Sequence, residues 1–232
     1  MNKALIVAEH FQGRLNPSTA KCVSCVQGIA GIEIDVAVLA ADAGAVAAEA
    51  AGLAGVRRVL VLERAENAEA LAAVWAPQIA ALARAGYTHL FGPSTTFGKD
   101  LMPRIAALLG VGQISDVMAV ESAYRFRRPV YASNAIITVE APSGSIVVAT
   151  VRTASFQPAA AGGTAGIARA PVEVPLPTTT RFLGRAGGNT DRPDLQTAPR
   201  VVSGGRALGS AANFQLVYRL AAALGERQLR MQ

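Results

Sequence analysis

The chain has 232 residues, of which 51% are apolar and 16% charged, with a net charge of +6 at neutral pH. That length suits one large or two modest domains, and about 70% of the unfolded chain's surface can be buried on folding, so a real core is available. Arg, Glu, Asp or Gly interrupts every apolar run before it reaches the ~18 residues of a membrane span, and Asn2-Lys3 leads straight into Ala4–Ala8 without the layout of a secretory signal, which points to a cytoplasmic chain with no membrane insertion.

Residues 3–110 alternate short β-rich runs with longer helical ones. "KALIVAE", "EIDVAVLA", "RRVLVLE" and "THLFGPS" are nearly continuous apolar segments, as parallel strands covered on both faces require. Between them lie Ala-rich segments, "PSTAKCVSCVQGIA", "AGAVAAEAAGLAG" and "AENAEALAAVWAPQIAALARAG", each ending at or beside Gly. The progression is βαβ, so the spacing predicts a parallel sheet with right-handed crossovers. In the fourth crossover, "TTFGKDLMPRIAALLG", Asp100 reads as the N-cap and Pro103 falls in the first turn, where a missing N–H costs nothing. After Gly110 the pattern turns to strands: "ISDVMAV", "RPVYASNAIITVEA" and "SIVVATVR", with "APSG" (141–144) joining the last two as a hairpin and mixed sheet edges expected. The fold class is α/β, a three-layer Rossmann-like parallel sheet with a β extension. From Gln157 to Pro199 the composition is rich in Ala, Gly, Pro and Thr, with one more strand expected around "PVEVPLP" and "TRFLGR". The domain boundary is placed near Asp191–Pro199, giving domains 1–190 and 191–232, the second shorter than a whole α/β domain.

Few groups carry chemistry. Of the 22 basic residues only Lys3, Lys21 and Lys99 are lysine. The densest patch, "YRFRRPVY" (124–131), interleaves Arg125, Arg127 and Arg128 with rings, as nucleic-acid binding would, but a single patch with no further basic stripe reads as a solvated strand face or one meeting an acidic partner. Cys22 and Cys25 form C-x-x-C inside the first helix, without the two further ligands of a zinc site or the helix-terminal position of a reactive thiolate. His10 and His89 lack ligand spacing, and no G-x-S-x-G elbow places a nucleophile. "GVGQIS" (110–115) follows a helix, so its glycines cannot aim N–H groups at a pyrophosphate. "VVSGGRALGS" (201–210) is better placed: a strand ends at Val202, Gly204 and Gly205 allow backbone angles and a close approach that a Cβ forbids, a helix begins near Ser210, and Arg206 brings a bidentate cation to the same point.

The stretches "THLFGPSTTFGKDLMPRIAALLGVGQISDV", "RPVYASNAIITVEA", "VATVRTASF" and "DRPDLQTAPRVVSGGRALGSAANFQLVYRLAAALG", in this order and spacing, resemble the electron transfer flavoprotein alpha subunits, and the opening "ALIVAEH" fits that family's first strand. The resemblance covers residues 3 to 225. It implies an N-terminal α/β domain that packs on a beta subunit with a similar domain, and a C-terminal domain that holds FAD. The heterodimer carries electrons, as in fatty acid β-oxidation, from acyl-CoA dehydrogenases and related donors to a membrane quinone reductase, without a substrate of its own. The arginine of the family's Ser-Gly-Gly-Arg turn maps onto Arg206, flanked by Ser203, Gly204 and Gly205, which are therefore the expected cofactor contacts. Catalytic residues and metal ligands are not expected. The family's later motifs have no counterpart, and "ERQLRMQ" after Gly225 departs from it, so the resemblance implies an alpha subunit truncated after the first βα unit of its FAD domain. Such a chain is expected not to retain FAD alone, with 198–232 mobile or packed unlike the family. Two other readings stay open: a flavin-free docking module for a beta-type subunit, and an adenine-nucleotide-binding α/β domain.

Overall fold

Apolar runs punctuated by Gly become, in chain order, β1 (Lys3–Val7), the short ribbon β2 (His10–Phe11) and β3 (Arg14–Leu15), α1 (Pro17–Gln27), β4 (Glu33–Ala40), α2 (Gly44–Ala51), β5 (Arg58–Glu63), α3 (Ala72–Ala83), β6 (His89–Pro93) and α4 (Thr96–Leu109). Then come β7 (Gln113–Val117), β8 (Ala119–Val120), β9 (Arg125–Val130), β10 (Ala135–Glu140), β11 (Val147–Val151), β12 (Gly166–Arg169), β13 (Val202–Gly204), α5 (Gln215–Ala223) and β14 (Leu229–Met231). The structure is a computed structural model that describes residues 2–170, 172–184, 198, 200–224 and 229–231. The chain divides into two compact units, Met1–Phe182 and Leu183–Gln232. The boundary expected at Asp191–Pro199 lies largely outside the described residues.

In the first unit seven strands form one sheet in the order β12-β5-β4-β1-β6-β11-β7, and every adjacent pair is parallel. Successive side chains of a strand point to opposite faces, and in β1 both sets are apolar. Ala4 and Ile6 join a core with Val23 and Val26 of α1 and Val46 of α2, whereas Leu5 and Val7 join another with Trp75 and Ile79 of α3 and Ile105 of α4. These are the three layers that the sequence predicts.

Three local expectations change. The N-cap of α4 is Thr95, whose hydroxyl accepts from the Gly98 N–H, so Asp100 sits exposed inside the helix and Pro103 a turn further in than expected. Gly98 is required by contact, because a Cβ there would strike the Pro93 carbonyl oxygen. "APSG" is not a hairpin. The hairpin instead joins β9 to β10 through Tyr131, Ala132 and Ser133, all at positive φ, while β11 returns to the central sheet between β6 and β7. Burial decides this: all five residues of β11 are buried, as an interior parallel strand requires, while Ile136 and Ile137 of β10 stay exposed. The β extension is therefore a separate antiparallel sheet, β10-β9-β8, and the main sheet has no mixed edge among the described strands. Finally, the late strand is Gly166–Arg169, paired with β5, and the described residues of "PVEVPLP" and "TRFLGR" form none.

Polar groups inside this sheet are tied down. Asp35, in the middle of β4, has a fully buried side chain, and its Oδ2 accepts from Tyr87 Oη at 2.6 Å, Arg57 Nη2 at 2.8 Å and Arg58 Nη2 at 3.1 Å, with Lys3 Nζ at 3.8 Å. The cluster draws together the starts of β1 and β5 and the segment leading into β6. His89, on β6, holds the antiparallel sheet. Its Nε2 lies 2.6 Å from the Ala123 carbonyl, which can only accept, so Nε2 carries the proton and Nδ1 accepts from Thr88 Oγ1 at 2.7 Å. Burial pushes this imidazole below its ordinary 6.5, with the Ala123 hydrogen bond opposing.

Removing the Asp35 carboxylate strands a buried phenol and crowds the cations, so Asp35→Ala should cost about 2–4 kcal/mol and Tyr87→Phe about 1 kcal/mol by urea unfolding. For His89 the unfolded chain takes up a proton first as pH falls. Its contribution is thus fully present above about 6.5 and is lost as pH drops toward the folded value. The unfolding midpoint of His89→Gln should accordingly fall less than that of the parent between about pH 7 and 5.

Candidate functional site

The second unit is built on β13, α5 and β14. Val202, Ser203 and Gly204 pair in parallel with residues 229–231, with α5 between the two strands, so the described residues make a βαβ unit. The end of the chain thus forms a strand that the resemblance does not anticipate. Phe214, Val217 and Ala221 are buried, while Leu216, Leu220 and Leu224 form an exposed stripe along the other face of α5.

The four expected contact residues lie together at the end of β13. Ser203 is exposed in the middle of the strand, Gly204 ends it half-buried, and Gly205 leads into a 3-10 turn over Arg206–Leu208. The reason for the two glycines differs from the sequence expectation. Neither has positive φ; that angle belongs to Gly209, at φ 72°. Gly204 is needed for packing, since a Cβ there would strike the Leu208 side chain and sit 3.0 Å from Val217 Cγ2. At Gly205, with φ −105° and ψ −168°, a Cβ would meet nothing within 4 Å, so the space beside it is open. Arg206 is exposed, and among the described residues its guanidinium has no hydrogen-bond or ion-pair partner. An open backbone, a free hydroxyl at Ser203 and an unpaired fork of N–H donors suit a phosphate or another anion.

The helix begins later than the sequence suggests. A second 3-10 turn, Ala212–Phe214, intervenes, with Ser210 Oγ just ahead of it accepting from the Asn213 N–H at 3.3 Å, and the α-helix proper starts at Gln215. Asn213 Nδ2 also donates to the Leu208 carbonyl at 2.7 Å, so side chains hold the shape of this loop. No sequence rule separates a helix start from a 3-10 approach at this point, because both use the same capping residues.

Other candidates recede on burial and pairing. Cys22 and Cys25 are free and buried, with the Cys25 thiol pushed up to about 12 by burial and the Cys22 thiol well above its usual value, so neither is a ready thiolate. Among the described residues no three His, Cys, Asp or Glu side chains come together as a metal site. In the basic patch, Phe126 turns inward against Phe91, Arg125 and Arg127 lie 2.9 Å and 3.9 Å from Glu121, and Arg128 donates to Ser115. A cavity of about 590 Å³ opens beyond the ends of β5 and β12, lined in part by Glu63, Arg64, Arg169 and Glu173, and Arg169 already pairs with Glu63 at 2.7 Å. No helix among the described residues is long and apolar enough to cross a membrane.

Gly204→Ala should lower the stability of this unit by roughly 1–3 kcal/mol through overpacking, read as faster amide exchange in α5, whereas Gly205→Ala should leave exchange unchanged.

Residues 4–175 match the family model for the electron transfer flavoprotein domain. The electron transfer flavoprotein subunit alpha of Pseudomonas aeruginosa is 42% identical over 223 residues, covering 95% of this chain and 71% of that protein. The corresponding subunit of Paracoccus denitrificans is 43% identical over 224 residues, covering 95% of this chain and 70% of that protein. A probable mitochondrial electron transfer flavoprotein subunit alpha of Caenorhabditis elegans is 39% identical over 226 residues, covering 97% of this chain and 68% of that protein. The buried parallel sheet, the separate hairpin sheet and the Ser-Gly-Gly-Arg turn thus sit in a chain that belongs to the electron transfer flavoprotein family and aligns with its alpha subunits.

Proposed function

We propose that the chain serves as the alpha side of a flavin electron carrier, paired with a beta-type subunit, with residues 191–232 contributing the first segment of a FAD-binding domain and residues 1–190 the docking domain. The observation that carries this reading is the Arg206 guanidinium, unpaired among the described residues, beside the open backbone at Gly205. FAD, when bound, supplies the redox centre, accepting electrons from acyl-CoA dehydrogenase-type donors and passing them to a quinone reductase. The chain's own part is binding and orientation. Arg206 would hold a phosphate oxygen of the cofactor through a charge-assisted, two-pronged hydrogen bond, Ser203 would donate its hydroxyl, and Gly205 would let the ligand approach the main chain.

One turn supplies only a few of the contacts a dinucleotide needs, against the entropy lost on binding. The exposed Leu216, Leu220 and Leu224 stripe also leaves the βαβ unit with apolar surface that a further layer would cover. The 232-residue polypeptide alone should therefore purify without flavin. A yellow protein with stoichiometric FAD would overturn that expectation. In a fluorescence titration with FAD, Arg206→Ala should weaken binding by roughly tenfold or more, since a hydrogen bond to a charged group is worth about 1.5–3 kcal/mol.

The exposed Ile136, Ile137 and Tyr131 of the β9–β10 hairpin favour a second reading, in which the chain is a docking partner without flavin. Co-purification with a beta-type subunit and no flavin would select it.

A further inference from the structure

In an open parallel sheet, ligands bind outside the carboxyl ends of the strands where the chain reverses direction across the sheet. Here that point lies between β1 and β6: from β1 the chain builds outward through β4 and β5, then crosses back to β6 and builds the other way to β11 and β7. The first turns of α1 and α4 open at this place, and neither holds an acidic residue. A helix N-terminus attracts negative charge. Two such ends facing one crevice would ordinarily draw an anion from solution.

The crevice holds one from the chain itself. Glu9, two residues beyond β1, is only 8% exposed. Its Oε2 accepts from Ser18 Oγ, in the first turn of α1, at 2.6 Å and from Thr95 Oγ1, the N-cap of α4, at 3.0 Å. Its backbone is fixed as well, with its N–H donating to Thr19 Oγ1 at 3.0 Å and its carbonyl accepting from the Asn16 N–H at 2.8 Å. Among the described residues no Lys or Arg forms an ion pair with this carboxylate. Burial pushes its carboxyl above the usual value, opposed by the Ser18 and Thr95 hydrogen bonds and by the neighbouring His10. Beside Thr95, the Ser94 hydroxyl is buried with no partner among the described residues, one more donor at the same strand end.

We propose that Glu9 is an internal anion: its carboxylate takes the position at the β1/β6 reversal that would otherwise receive a phosphate group, and it closes this domain to phosphate-bearing ligands. Removing the side chain exposes the Ser18 and Thr95 hydroxyls and two helix N-termini to one small space, which is a donor set for phosphate. The proposal is independent of the flavin reading, which concerns the other unit.

The test uses as parent the full chain carrying Arg206→Ala, which silences the anion-binding turn of the other unit, and compares it with the same chain bearing Glu9→Ala, Glu9→Ser or Glu9→Gln in thermal unfolding, with inorganic phosphate or AMP against chloride at matched ionic strength. The parent chain and Glu9→Gln, whose side chain still fills the space, should show no phosphate-specific shift. Glu9→Ala and Glu9→Ser should gain about 3–6 °C at a phosphate concentration near ten times Kd. Equal shifts with phosphate and AMP assign the effect to the phosphate group, and a larger one with AMP adds the nucleoside. A phosphate-specific shift in the parent chain overturns the proposal, as does a folded Glu9→Ala or Glu9→Ser that ignores both ligands. If those two variants are unfolded in chloride, recovery of structure in phosphate supports the proposal, and failure to recover overturns it.

Discussion

A parallel sheet whose strands are apolar on both faces must be covered on both, and most of this structure follows from that demand. It forces helices onto each side, which is why α1 and α2 lie in one core and α3 and α4 in the other. It pulls β11 out of the expected hairpin, since a strand with five buried residues finds cover only between β6 and β7. It also leaves the polar groups of the sheet few permissible places, either in a hydrogen-bonded cluster or at the strand ends.

The polar groups accordingly mark three positions. Asp35 gathers a phenol and two arginines where β4 meets β5 and the segment before β6. His89 ties the buried start of β6 to the loop before β9, and the antiparallel sheet is held to the main one by this bond together with the Phe91–Phe126 contact. Glu9 closes the opposite ends of β1 and β6 by bonding hydroxyls from two helices. Where the remaining group is buried, as the Asp35 carboxylate is, removal of its partner costs more than the net worth of the bond, because that group has no water to turn to. The first unit thus carries these buried ionisable groups as structural ties, whereas the turn in the second unit presents Arg206 in the open and, among the described residues, unpaired. That contrast motivates the proposed division between a docking domain and a cofactor domain.

Parts of the site were legible in the sequence. Strand, turn and helix in "VVSGGRALGSAANFQLVYRLAAA" can be read from composition, and the four residues expected to contact the cofactor do lie together at one strand end. Their reasons could not be read there. Gly204 answers to Leu208 and Val217, and Gly205 to empty space, and neither neighbour relation is encoded in a local pattern. Glu9 was missed altogether, because an acidic residue just past a strand looks like an ordinary solvated loop charge until two helix ends are seen to meet it. Its one signal was position, at the loop after the first strand of an open parallel sheet.

The sequence by itself determined the parallel α/β class, the strands β1, β4, β5 and β6, the helices between them and the identity of the Ser-Gly-Gly-Arg turn, since each rests on periodicity, composition or motif within a short window. Tertiary structure alone decided strand order, the insertion of β11, the pairing of β12 with β5 and the enclosure of Glu9, Asp35 and His89. Those depend on which distant segments exclude water from one another. Asp35 and Tyr87 stand 52 positions apart in the chain, and only folding brings one to bear on the other.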